Sequence, residues 1–122
     1  MQLIGSYVSS FVRRVAISMN VLGLPYEQNS ILVFANPDEI KVHNPLIRVP
    51  TMVLDDGEVL VESYAILDYL DELAGKAKQL IPPDGPERRR VMKDTAVAVG
   101  PMDHLRIPTP PGREGSRTLG RT

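Results

Sequence analysis

The sequence predicts an α/β fold: a mixed four-stranded sheet covered by helices, in the order β-α-β-α-β-β-α, followed by a further helix and a tail. Three observations lead there. Two apolar runs flank a segment of helical periodicity, so the first two strands can lie parallel across a helical crossover. Two β-branched-rich runs flank an Asp-Gly turn, which marks an antiparallel hairpin. A serine-led amphipathic helix comes directly after that hairpin.

Each element has its own local reason. Gln2 to Tyr7 is a short apolar run bounded by polar residues and reads as a strand. Ser9 and Ser10 precede apolar residues at Phe11, Val12, Val15, Ala16, Met19 and Leu22, which is helical spacing behind a serine N-cap. Gly23 stops that helix and Pro25 prevents its continuation. Glu27 to Phe34 reads as the second strand through Ile31, Leu32, Val33 and Phe34. Asn36-Pro37-Asp38 opens a short helix over 38–43, which Asn44-Pro45 ends. Thr51 to Leu54 and Glu58 to Val61 form the hairpin around Asp55-Asp56-Gly57. Ser63 caps the next helix, whose apolar face is Ile66, Leu67, Leu70 and Leu73, and Gly75 ends it. Pro86 to Val99 reads as another helix start.

From Pro101 to Thr122 the chain carries four prolines, three glycines and four arginines with few large apolar residues. Such a segment cannot bury enough surface to offset the entropy of ordering it, so a disordered tail is expected.

Composition narrows the function classes. The chain has 122 residues, 43% hydrophobic and 24% charged, with a net charge of −1, typical of a small soluble globular protein. That balance gives no field for nucleic acid or an anionic membrane surface, so neither is expected as a partner. Zero cysteines exclude a disulfide framework, a thiolate metal site and a cysteine nucleophile, and two histidines make a metal centre unlooked-for. No apolar run spans a bilayer and the N-terminus lacks signal-peptide features, so a cytoplasmic protein is expected.

Three segments carry chemistry: Ser9-Ser10-Phe11-Val12-Arg13-Arg14, then Asn44-Pro45-Leu46-Ile47-Arg48-Val49-Pro50-Thr51, then Glu62-Ser63. In this order and at these spacings they resemble the N-terminal, thioredoxin-like domain of cytosolic glutathione S-transferases. The nearest groups are the serine-type tau, zeta and related bacterial ones, and the resemblance covers residues 1 to about 98.

The resemblance implies glutathione as substrate and partner, with no metal. A free thiol of this kind has a pKa near about 8.5, so conjugation at neutral pH requires the protein to favour the thiolate. Ser9 is the implied catalytic hydroxyl, at a strand-to-helix turn where a hydrogen bond and a helix N-terminus both stabilise negative charge. Read from the residues alone, Ser9 is an N-cap, and Tyr7 stays open as a competing hydroxyl. Pro50 by itself reads as an ordinary trans proline starting a strand. The family pattern implies a cis bond, with the Val49 N–H and C=O pairing with the ligand's cysteinyl unit as an added strand does. Glu62 and Ser63 are the implied grip on the γ-glutamyl end, Glu62 on its ammonium and Ser63 on its carboxylate. Taken alone they are a solvated acid and a cap. Arg48 is the implied partner of the glycyl carboxylate, or a solvated loop arginine. The Arg13-Arg14 pair reads as a solvated or salt-bridged helix face.

The chain departs from the family pattern in three places. Ser10 replaces the proline after the catalytic residue, and Ile47 replaces a small residue, often glycine. If position 47 needs a positive φ, isoleucine there is strained by about 1–3 kcal/mol. The third departure is the helical second half, where the resemblance stops near Gly100. The expected organisation is a thioredoxin-like domain over 1–78, a linker and the start of the helical domain over 79–100, and a disordered or aberrant tail over 101–122. A homodimer is within reach of the resemblance. Activity stays open between a glutathione transferase, a non-catalytic glutathione- or protein-binding module, and an inactive truncated product.

Overall fold

Leu3 and Ile4 are neighbours in sequence, and both are fully buried. Successive strand side chains point to opposite faces, so a strand with two such residues must be covered on both sides. The structure, a computed structural model describing residues 1–104, shows how. The elements are β1 (Gln2–Ile4), α1 (Ser10–Leu22), β2 (Glu27–Asn29), α2 (Pro37–Lys41), β3 (Thr51–Val53), β4 (Val59–Val61), α3 (Ser63–Ala74) and α4 (Gly85–His104). The sheet order is β2-β1-β3-β4. β1 and β2 are parallel, while β1–β3 and β3–β4 are antiparallel, with Leu3 opposite Met52 and Met52 opposite Leu60. This is the mixed four-stranded, thioredoxin-like arrangement expected from the sequence.

The two faces have separate cores. Leu3 and Met52 pack with Val12, Val15 and Met19 of α1 and with Ile66 and Leu70 of α3. Ile4 packs on the other face with Ile31 and with Ile40 of α2. Each fully buried aliphatic side chain contributes about 1.5–3 kcal/mol of transfer free energy. That burial holds together strands of only three residues each.

α1 ends as its sequence demands. Gly23 adopts φ 70°, its N–H reaches the carbonyls of Asn20 and Met19, and Leu24 N–H closes on Met19 at 2.9 Å. Gly5 answers a different demand. At φ 139°, a Cβ there would lie 2.5 Å from a methyl of Val12 and 3.0 Å from Val49 Cβ, so α1 and the 44–51 loop close on a bare backbone.

Several boundaries differ from expectation. β1 ends at Ile4 rather than Tyr7, and the hairpin strands are trimmed to Thr51–Val53 and Val59–Val61. The second strand is Glu27–Asn29, without the apolar 31–34 run. Gly5 N–H bonds Asn29 as the last rung, and the chain then turns, with Ala35 and Asn36 N–H both on the Leu32 carbonyl. Ile31 is apolar because it fills the second core, not because it is paired in the sheet. α2 starts one residue early, since Pro37 suits the first helical turn, and ends at Lys41. In α3 the N-cap position belongs to Glu62, and Ser63 is the first helical residue. α4 runs through Pro101 to His104, so residues 101–104 are helical. The rest of the expected disordered tail, 105–122, lies outside the described residues.

Candidate functional site

Three connections meet at one end of the sheet and enclose a cleft of about 460 Å³. The start of α1 supplies Ser9, Ser10 and Phe11; the loop before β3 supplies Ile47, Arg48 and Val49; the entry to α3 supplies Glu62 and Ser63. Val8, Val33 and, at the end of α4, Met102 and Asp103 complete the lining. Five of the six implied site residues, Ser9, Arg48, Val49, Glu62 and Ser63, therefore face one space. Pro50 is buried and does not line it.

The loop before β3 is shaped by a buried polar network. Asn44 is 1% exposed. Its amide nitrogen donates to the Arg48 carbonyl at 3.3 Å and to Thr51 Oγ1 at 3.1 Å, and its oxygen accepts from Leu46 N–H at 2.9 Å. Thr51 Oγ1 in turn donates to the Arg48 carbonyl at 2.8 Å. Every polar atom of the Asn44 side chain is satisfied, which holds the intervening loop in one shape. Val49–Pro50 is a cis peptide bond, as the family pattern implies, and Ile47 adopts φ 53°. The anticipated strain at Ile47 is thus present: a β-branched residue sits where glycine is favoured. Neither the Val49 N–H nor its C=O has a backbone hydrogen-bond partner among the described residues.

Ser9 has the capping role that the residues alone suggest. It is the N-cap of α1, and its Oγ accepts the Val12 N–H at 3.3 Å. A hydroxyl that accepts one bond still has its own proton to donate, so capping leaves Ser9 able to donate into the cleft. Tyr7 is placed elsewhere. Its hydroxyl bonds that of Tyr26 at 2.8 Å, and its ring lines a shallow depression beside Asn20 and Gln28. The Tyr26 phenol is pushed above the usual tyrosine range, first by this hydrogen bond and then by burial.

Glu62 departs from its reading as a solvated acid. Its carboxylate pairs with Arg48 at 3.3 Å, across the mouth of the cleft. Its backbone lies at φ 74° and ψ 134°, a region that non-glycine residues avoid. No side chain caps the first turn of α3, whose free N–H groups leave partial positive charge beside Ser63.

The two arginines of α1 separate. Arg13 is exposed and folds back onto the carbonyls of Tyr7 and Val8, at 2.6 and 3.2 Å, tying down the β1–α1 turn. Arg14 is half-buried, against the solvated reading, and donates to Ser63 Oγ at 3.3 Å. Burial lowers its pKa from the usual arginine value. Asn44 and Arg14 are the residues that reading the sequence for direct ligand contacts overlooks. Both lie within the first two motif segments, but nothing in those segments sets them apart from their neighbours. Among the described residues, no group of three His, Asp or Glu side chains could hold a metal ion.

With this geometry in place, comparison with known proteins is decisive. The family model for the glutathione S-transferase N-terminal domain matches residues 3–79. The chain belongs to the glutathione S-transferase family. It is 37% identical over 103 residues to the uncharacterized GST-like protein YibF of Escherichia coli, covering 84% of this chain and 50% of that protein. It is 36% identical over 114 residues to a probable maleylacetoacetate isomerase of Vibrio cholerae, covering 86% of this chain and 52% of the relative. A glutathione transferase family member from Pseudomonas fluorescens Pf-5, crystallised with bound glutathione, superposes with a TM-score of 0.72 at 33% identity. That superposition covers 84% of this chain and 51% of the other. The chain therefore spans about half the length of the curated family members it matches. No helix among the described residues is long and apolar enough to cross a membrane.

Proposed function

We propose that this chain is a cytoplasmic glutathione-binding protein that activates the glutathione thiol for attack on an electrophile. The observation that carries the reading is the convergence of Ser9, Arg48, Val49, Glu62 and Ser63 on one cleft, with Tyr7 outside it. The P. fluorescens family member with bound glutathione supports the choice of ligand.

The chemistry follows from the donors present. The ligand's cysteinyl unit pairs with the Val49 backbone groups, which brings its sulfur to the start of α1. Ser9 O–H donates to the sulfur, and the N-terminal dipole of α1 favours its negative charge, so the proton leaves to solvent and the thiolate persists at neutral pH. The ligand's two ends replace the Arg48–Glu62 pair: the glycyl carboxylate takes Arg48 and the glutamyl ammonium takes Glu62. Ser63 and the free N–H groups of α3 receive the glutamyl carboxylate. A homodimer belongs to the same reading and is tested by sedimentation of the purified chain.

The first experiment is a glutathione titration followed by thermal melting. A ligand that binds only the folded state raises the midpoint as its concentration passes Kd. The rise is expected in the parent chain and is expected to vanish in Glu62→Ala and Ser63→Ala. A generic electrophile then reads turnover. A melting shift without conjugation selects a binding module, and a cooperative melt that glutathione does not move overturns the proposal.

A further inference from the structure

Arg14 is a cation with no carboxylate within 4 Å among the described residues. The two ion pairs that occur there are Met1–Asp55 and Arg48–Glu62. Half-buried charge of this kind is costly unless something of opposite sign compensates it. Its recorded side-chain contact is the bond from Nη1 to Ser63 Oγ at 3.3 Å, and Ser63 is itself only 4% exposed.

The direction of that bond matters. A guanidinium has five donors and no acceptor, so Ser63 Oγ must be the acceptor. One lone pair of the serine is thereby engaged from behind, from α1. The hydroxyl proton is left to point away from Arg14, and Ser63 lines the cleft. In this state Ser63 offers the cleft a donor, which suits an acceptor such as a carboxylate oxygen and disfavours an ammonium. Arg14 adds a formal positive charge to the partial charge of the α3 N-terminus at the same point.

We propose that Arg14 is a positioning residue that sets the hydrogen-bond polarity of Ser63 and makes that end of the cleft selective for the α-carboxylate of the γ-glutamyl group. The proposal rests on the glutathione reading above and assigns one ligand group to one pair of residues. Glu62, one residue earlier and engaged by Arg48, serves the neighbouring ammonium. A zwitterionic amino-acid head is therefore split between adjacent residues of opposite polarity.

The test compares three peptides on the full chain by calorimetry: glutathione, 4-aminobutyryl-cysteinylglycine, which lacks the glutamyl α-carboxylate, and glutaryl-cysteinylglycine, which lacks the α-amino group. The parent is expected to prefer glutathione over the decarboxylated peptide by about tenfold or more, the scale of a charge-assisted hydrogen bond. In Arg14→Met this preference collapses towards unity, binding of the decarboxylated peptide is unchanged, and the preference for the α-amino group stays. Arg14→Lys, which keeps a charged donor, restores most of the carboxylate preference. A purely structural arginine would weaken all three peptides together, and that result overturns the proposal. Full carboxylate preference in Arg14→Met overturns it too, while leaving the glutathione reading intact. If Arg14→Met does not fold, Arg14→Leu, which likewise has no donor, reads the same ratio. A parent chain that binds none of the peptides refutes the glutathione reading, and the role of Arg14 with it.

Discussion

Replacing Glu62 by glycine should leave the protein more stable than replacing it by alanine, although glycine ordinarily weakens a folded chain. Glu62 sits at φ 74° and ψ 134°, where a Cβ crowds the backbone. A non-glycine residue held in such a region costs about 1–3 kcal/mol. Its ion pair with Arg48 offsets little of that, because Arg48 is 69% exposed and pairs of this kind contribute about 0–1 kcal/mol. Alanine removes the carboxylate and keeps the strain. Glycine removes both, at a cost of about 0.4–1 kcal/mol in unfolded-chain entropy. The difference leaves Glu62→Gly about 1 kcal/mol more stable than Glu62→Ala, or roughly 5 °C in melting midpoint for a domain of this size. Urea denaturation of both variants, with a common slope, measures it. Both should lose glutathione affinity, so the glycine variant gains stability as it loses its ligand. Equal midpoints, or a more stable alanine variant, would refute the claim that this position stores strain.

Other perturbations have equally definite outcomes. Ser9→Ala loses the bond to Val12 N–H, worth about 1 kcal/mol of stability. It also shifts the half-maximal point of the pH–rate profile upward by about one to two units, because the bound thiol returns towards its ordinary pKa; an unmoved profile would exclude Ser9 as the thiol's partner. Tyr7→Phe should leave glutathione binding unchanged and bring the Tyr26 phenol back towards about 10, read by ultraviolet titration. The sign of the accompanying stability effect follows from the raised Tyr26 pKa. The contribution is complete below the unfolded value near 10 and lost as pH climbs through the folded one, so the parent weakens more than Tyr7→Phe in that alkaline window. Asn44→Ala should cost about 1–3 kcal/mol and also weaken glutathione, since Thr51 loses its amide donor and the Arg48–Val49 loop loosens. Gly5→Ala should destabilise by about 2–4 kcal/mol in urea denaturation, as its methyl would meet fully buried Val12 at a position with φ 139°.

Elements set by local physics were legible in the sequence. Gly23 ends α1 because only a glycine takes φ 70° without cost, and the Asp55–Gly57 loop closes its hairpin with Leu54 N–H on the Glu58 carbonyl. Elements set by tertiary demand were harder to read. Ile31 to Phe34 looks like a strand because burial and pairing favour the same side chains, and only the second core under α2 tells them apart. The polar Glu27–Asn29 segment pairs instead, although its composition argues against a strand. At the site, the residues singled out by the motifs include Ser9, Arg48, Val49, Glu62 and Ser63, which line one cleft. The motifs did not disclose Arg14, since an arginine beside another arginine on a helix reads as solvated until α3 is seen packed against it. Strain at Ile47 could be anticipated because a glycine was missing from the pattern. Strain at Glu62 could not, because a glutamate before a helix looks unremarkable there.

The Arg48–Glu62 pair has a consequence for how the cleft responds to salt. The two charges expected to hold opposite ends of a zwitterionic peptide hold each other at 3.3 Å when nothing is bound. Ligand entry then exchanges one internal contact for two external ones. Dissolved ions screen both sides of that exchange, and the losses partly cancel. Affinity should therefore fall less steeply with ionic strength than a count of charged contacts suggests, and cutting the pair with Arg48→Met would leave Glu62 a stronger but more salt-sensitive partner for the ammonium.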